Sequence, residues 1–414
     1  MKMREKPLIA VMFDHLGPYH AARMTAAAVS GNVVAVEVCA ETVDYSWVKT
    51  AETNAFKLIT LFERGAYDSI RRGDMVTRLR EAFDRIKPDV VAVPGWAYLP
   101  ALEALRWCEM HRIPSIVMSE SQEEDRSRSM MLESLKSGII IGFSAALVGG
   151  LRHKAYLQKL GMPPGNIFMG YDVVDNDYFR LGADNARRNA DSLRREHGLP
   201  EQYILASARF MERKNLKTLV SAYAAYKERT GPSAWSLVLL GDGKQRSDIE
   251  LLICELGLKQ HVLMPGFKQY DDLPVFYGLA QAFVHPSYSE QWGLVVNEAM
   301  AAGLPVLVSD RCGCAADLIH DGENGFTFHP RDTSKLAELI CNLHGSAELC
   351  RKLSSNSLKI IDGWTPSGFA SGLQRAVECA LKVGPRRVSV FHRVLLSILP
   401  SLIPARREVV SVVH

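Results

Sequence analysis

The chain has 414 residues, enough for two or three domains with sizeable cores. It is 47% hydrophobic and 23% charged, an ordinary globular balance, and 49 basic against 46 acidic residues leave a net charge of only +3. That near-neutrality argues against a nucleic-acid binder, and no window has the length expected of a transmembrane helix. The first residues, MKMREKPLIAVMF, place basic side chains before a short apolar run that soon meets Asp14, His15 and Gly17. This reads as a first strand rather than a signal peptide. Strand-like runs follow at 8–13, 32–38, 89–94, 114–118 and 145–149, with helix-forming stretches such as Met75–Arg85 and Leu99–Met110 between them. After residue 200 the rhythm restarts at 203–210, 235–241, 261–267, 282–287 and 305–310. Strands alternating with helices predict parallel sheets covered on both faces.

Two such series, split by the arginine-rich stretch 181–200, predict two doubly wound domains joined by a linker, either irregular or holding a solvated helix. The expected boundaries are 1–180, 181–200, 201–363, a terminal helix at 364–384, and a tail at 385–414. Ligands of doubly wound sheets lie beyond the carboxyl ends of the strands, which places the site in the cleft between the domains. The tail carries basic residues around an apolar stretch broken by Pro400 and Pro404, a pattern that fits an interfacial amphipathic segment. The eight cysteines are scattered; Cys312 and Cys314 enclose one glycine and read as small residues in a tight loop. A reducing cytoplasm is the expected setting.

The segment 286–325, PSYSEQWGLVVNEAMAAGLPVLVSDRCGCAADLIHDGENG, carries the functional signal. Glu290 and Glu298 bracket a Trp-Gly turn and an apolar helical run. A helix starting near Trp292 or Gly293 would offer its free N–H groups to an anion, near Gly293 and Leu294. Eight helical residues span about 12 Å, roughly the separation of sugar and ribose hydroxyls across a diphosphate.

Glu290, Glu298, the run EAMAAGLPVLVSD and then DGENGF resemble the E-x₇-E signature of the retaining glycosyltransferases of family 4. That resemblance implies the GT-B fold, an α/β architecture of two facing Rossmann-like domains with parallel sheets and an interdomain cleft, in which the final helix, here 364–384, crosses back onto the first domain. It implies that Arg209 at a strand end and Lys214 five residues later contact the donor diphosphate. Arg209 supplies a planar fork and Lys214 a compact charge. It implies Glu298 on the ribose hydroxyls, Glu290 on a hydroxyl of the transferred sugar, Gly241 in a Gly-Asp-Gly turn, and backbone near Lys268 against the base. In the first domain it implies Gly17 against the donor phosphate. His15, His20 and Trp96 are candidate acceptor contacts; Trp96 is read equally as core filling. Many relatives carry a histidine after the fourth strand of this domain; here Met118-Ser119-Glu120-Ser121 stands instead, and Glu120 or Ser119 is the candidate for that place.

Asp175-Asn176-Asp177 has the D-x-D form that holds a metal in another glycosyltransferase fold. It is read here as part of a hinge pattern, so no metal and no cofactor are expected. The resemblance implies a retaining front-face displacement in which the leaving phosphate oxygen helps deprotonate the acceptor, through an oxocarbenium-like transition state. The expected partners are a nucleotide-diphosphate sugar, a glycan or lipid-linked acceptor of surface polysaccharide or lipopolysaccharide assembly, and a membrane surface at the tail. A GT-B nucleotide-sugar epimerase and a non-catalytic sugar-nucleotide binder are the alternatives, and retention of Arg209, Lys214, Glu290 and Glu298 together argues against the second.

Overall fold

The computed structural model describes residues 6–41, 55–65, 67–125 and 129–386. They fall into two compact units that divide after Val173 and before Pro366. The tail expected to touch membrane lies outside the described residues from 387 onward. Among the described residues no helix is long and apolar enough to cross a membrane.

The first unit holds β1 (Leu8–Phe13), β2 (Asn32–Cys39), β3 (Lys57–Phe62), β4 (Val90–Pro94), β5 (Ser115–Ser119), β6 (Ala145–Val148) and β7 (Ile167–Met169). They form one parallel sheet in the order β3-β2-β1-β4-β5-β6-β7. Register is set by near-continuous apolar runs, Ile9 opposite Val33 and Ile9 also opposite Val90. Runs of Val and Ile buried on both faces suit a central parallel strand. The helix Pro366–Val383 belongs to this unit and buries Phe369, Leu373 and Val377. Gly372 lets it approach β7 closely: a Cβ there would lie 2.5 Å from the Met169 carbonyl oxygen.

The second unit holds β8 (Tyr203–Ser207), β9 (Ser236–Leu240), β10 (Val262–Gly266), β11 (Ala282–His285), β12 (Val306–Ser309) and β13 (Gly325–Phe328). Their order is β10-β9-β8-β11-β12-β13, again parallel. The register shifts between Leu263 and Gly266, where Pro265 has no N–H to donate to the ladder.

The stretch expected to be a linker differs from that expectation. Helices Asn176–Arg188 and Ala190–His197 occupy it, and it sits inside the second unit. Its arginines mask an apolar stripe, Phe179, Ala183 and Ala186, all buried at helical spacing. Small residues bring this helix against Leu273–Gly278: a Cβ on Gly182 would lie 2.5 Å from Pro274 Cβ, and one on Gly278 2.7 Å from Ala183 Cα. Strands β3, β7 and β13 have no counterpart among the expected strands. The last two are only three and four residues long.

Candidate active site

Both sheets reverse their strand order next to the first strand of the unit, between β1 and β4 and between β8 and β11. Ligand sites of doubly wound sheets lie at such switch points. In the second unit the loops leaving β8 and β11 carry Arg209, Lys214 and Glu290.

The β8 loop is shaped by the Gly241-Asp242-Gly243 turn. Gly241 has φ +124°, and a Cβ on it would lie 2.0 Å from the Ala208 carbonyl oxygen; on Gly243 (φ +153°) one would lie 2.6 Å from that of Phe210. Phe210 N–H donates to the Asp242 carbonyl at 2.8 Å. The close approach that demands glycine here is thus to the chain segment holding Arg209. Asn215, at φ 56°, then ties the loop down by donating to the carbonyls of Pro286 (2.9 Å) and Pro330 (2.7 Å).

Lys214 and Glu290 form a buried ion pair, 6% and 5% exposed. The same Glu290 oxygen, Oε2, lies 3.2 Å from His285 Nε2 and accepts from Ser287 Oγ at 3.3 Å. Burial works to raise the carboxyl's pKa, but Lys214, His285 and Arg213 outweigh it and hold Glu290 well below the usual carboxylate range. Arg209 and Arg213 also press electrostatically on Lys214. The β8 loop thus brings Arg209, Arg213 and Lys214 together beside the Glu290 carboxylate, cationic side chains of the kind that suit a diphosphate.

The helix begins at Leu294, with Gly293 as its left-handed cap at φ 104°, so residues 290–293 are loop. The expected picture of eight helical residues between the acids is corrected accordingly: only the stretch from Leu294 to Glu298 is helical. Glu298 is 1% exposed and faces Tyr277, whose hydroxyl burial and Glu298 push far up. Lys268, after β10, is half-buried with Nζ 5.7 Å from the centre of the Phe276 ring.

In the first unit Gly17 caps the helix Pro18–Ser30 with an ordinary φ of −84°, and a Cβ there would meet nothing within 4 Å. His15 is held by Glu37 and the Cys39 carbonyl, each 3.3 Å from Nδ1. Burial acts to lower its pKa, but Glu37 and that carbonyl raise it above the ordinary value. His20 is buried, accepts from Gly17 N–H at 3.3 Å, and packs on Phe13. Trp96 is 6% exposed inside the hydrophobic core, so it fills the core and presents no face for stacking a sugar. Glu120 is buried beside Asp172 and Tyr171, with the fully buried Arg23 balancing charge at 3.7 Å from Asp172.

Asp175 accepts from Tyr178 N–H at 3.0 Å and caps the helix Asn176–Arg188. Sequence reasoning missed Arg213, His285 and Ser287. The signal was their place directly after β8 and at the end of β11, in loops that already carried the recognised charges.

Residues 189–360 match the family model described as Glycosyl transferases group 1. This segment is a glycosyl transferases group 1 domain. The group 1 domain holds Arg209, Lys214 and Glu290 of the cluster just described, and Glu298 beside Tyr277. The chain is 37% identical over 169 residues to the putative glycosyltransferase EpsD of Bacillus subtilis, covering 40% of this chain and 43% of that protein. It is 31% identical over 160 residues to the lipopolysaccharide core biosynthesis glycosyltransferase LpsE of Rhizobium meliloti, covering 39% and 44%. The matches thus span less than half the length of these relatives. Anabaena Alr3699/HepE, solved in complex with UDP and glucose, has the same fold with a TM-score of 0.71. It is 16% identical over 90% of this chain and 100% of that one. The group 1 domain and the preceding sheet are therefore the two Rossmann-like parts of a GT-B fold.

Proposed function

We propose that the protein is a metal-independent, retaining glycosyltransferase of family 4. It transfers a sugar from a nucleotide-diphosphate sugar to a glycan or lipid-linked acceptor in surface polysaccharide or lipopolysaccharide assembly. The observation that carries this reading is the buried Lys214–Glu290 pair at the β8/β11 switch point, with Arg209 beside it and Glu298 on the following helix. Arg209 and Lys214 take the charge that develops on the leaving diphosphate. Glu290 reads a hydroxyl of the transferred sugar and Glu298 the ribose. The N-terminus at Gly293 and Leu294 adds partial positive charge. Backbone near Lys268 frames the base. Gly17 leaves room for a phosphate in the first unit, Glu120 supplies the polar group near the reacting carbon, and His15 meets the acceptor.

HepE supports a uridine nucleotide and LpsE a lipopolysaccharide setting, each through what is known of that relative. Residues 386–414 bring the enzyme to the cytoplasmic face of a membrane. Flotation with liposomes tests this: chains with and without that tail should separate, and equal flotation dismisses it. The decisive assay is nucleotide release from a panel of UDP-, GDP- and ADP-sugars, with and without EDTA. Release that EDTA leaves unchanged is expected. Strong inhibition by EDTA would overturn metal independence, and no release from any donor would overturn the reaction.

A further inference from the structure

We propose that His285 and Ser287 are positioning residues that fix the carboxylate of Glu290 for reading one hydroxyl of the transferred sugar. The inference rests on the glycosyltransferase reading above and deepens it. A carboxylate rotates about its last bond with only a broad preference, so a single cation beside it sets its charge state but not its orientation. Here three donors converge on one oxygen. Lys214 Nζ, His285 Nε2 at 3.2 Å and Ser287 Oγ at 3.3 Å all meet Oε2 of Glu290, and Ser287 Oγ lies 3.3 Å from His285 Nε2. His285 closes β11 and is 1% exposed, its ring stacked on Phe283 at 6.3 Å between centroids.

Burial drives the imidazole pKa down, with Lys214 and Arg213 acting the same way against Glu290. The ring is therefore neutral, and its Nε2–H gives a directed hydrogen bond without a second full charge. Lys214 then remains the counterion, while His285 and Ser287 define the plane. Gly293 closes the arrangement from above. It holds φ +104°, which strains any side chain, and a Cβ there would sit in van der Waals contact, 3.4 Å from both Glu290 Cγ and His285 Nε2.

The test uses the full chain, the donor that the wild type turns over best, and that donor's monodeoxy sugar analogues. Glu290→Gln first identifies the hydroxyl that Glu290 reads, as the one whose removal costs the variant nothing further. Ser287→Ala and His285→Phe should each lower kcat/KM on the parent donor roughly tenfold, the loss of one hydrogen bond to a charged group. The loss should shrink below roughly twofold on the analogue lacking that hydroxyl, because an interaction that is already absent cannot be weakened. His285→Gln, which keeps an N–H donor, should recover part of the activity, and the Kd for free nucleotide should stay at the wild-type value. Equal losses on every analogue, or nucleotide affinity falling in parallel, would make the two residues structural and overturn the proposal. Ser287→Ala is the milder change and keeps the test open if the histidine variants fail to fold. A wild type that releases nucleotide from no donor overturns the reaction itself, a different outcome from active variants with unchanged discrimination.

Discussion

Lys214 and Glu290 show what a single buried pair contributes and what it costs to break. Removing one partner leaves the other charge stranded, so Glu290→Gln should cost about 3 kcal/mol in chemical denaturation and abolish most turnover. The sign of the pH dependence follows from the depressed carboxyl. Its stabilisation is complete above the ordinary value of about 4.3 and is lost as pH falls through the folded value. Asp172 behaves in the opposite way. Burial raises it to about 6, although Arg23 and Glu120 oppose the shift. The folded state thus holds a proton that the unfolded chain gives up near the ordinary value of about 3.9, so this group costs stability as pH rises from there towards the folded value. Asp172→Asn should flatten that slope in melting curves taken across the window; an unchanged slope would assign it elsewhere. Arg209, Lys214, Glu290 and Glu298 were legible because charges at strand ends and the flanking Gly-Leu-Pro run stand out. His285 and Ser287 were not, since a histidine closing an apolar strand looks the same whether it packs or donates. Trp96 was ambiguous for the same reason: an aromatic at a strand end fits a core or a sugar equally well.

Among the elements, the Gly-Asp-Gly turn does most to set the cationic loop. Gly241→Ala places a methyl 2.0 Å from the Ala208 carbonyl oxygen in a left-handed conformation, so backbone on one side must move. Its cost should be about 3 kcal/mol or more in thermal denaturation, with turnover falling as Arg209 shifts. Gly17→Ala meets open space and an ordinary φ, so the same measurement should show a change below about 1 kcal/mol. The alternation of strands and helices predicted both sheets, because short β-branched runs recurring between longer helical stretches are the pattern of a parallel sheet. Strands β3, β7 and β13 escaped for physical reasons: β3 is an edge strand whose first residues are exposed, and the other two are too short to show a period. The buried face of the helix Asn176–Arg188 escaped because it is made of Phe179 and two alanines, a thin signal beneath the arginines.

For the whole molecule, chain order and structural unit do not coincide. The helix Pro366–Val383 completes the first unit although it follows the second in sequence. A chain ending at Thr365 loses Phe369, Leu373 and Val377 from the first core, each worth roughly 1.5–3 kcal/mol of burial. Calorimetry of that truncated chain should show the first unit melting early or missing and the second little changed; loss of both together would contradict the division. The terminal helix was legible as a helix, and its place in the first unit came only from the GT-B resemblance. The central claim, that the second unit grips a nucleotide diphosphate through its cations and Glu298, is tested most directly by calorimetric titration of wild type and Glu298→Ala with UDP, GDP and ADP. One nucleotide should bind the wild type, and the variant should bind it about tenfold or more weakly, as expected when a hydrogen-bonded carboxylate is removed. Equal affinity in the two proteins, or no binding of any nucleotide by the wild type, would contradict the account.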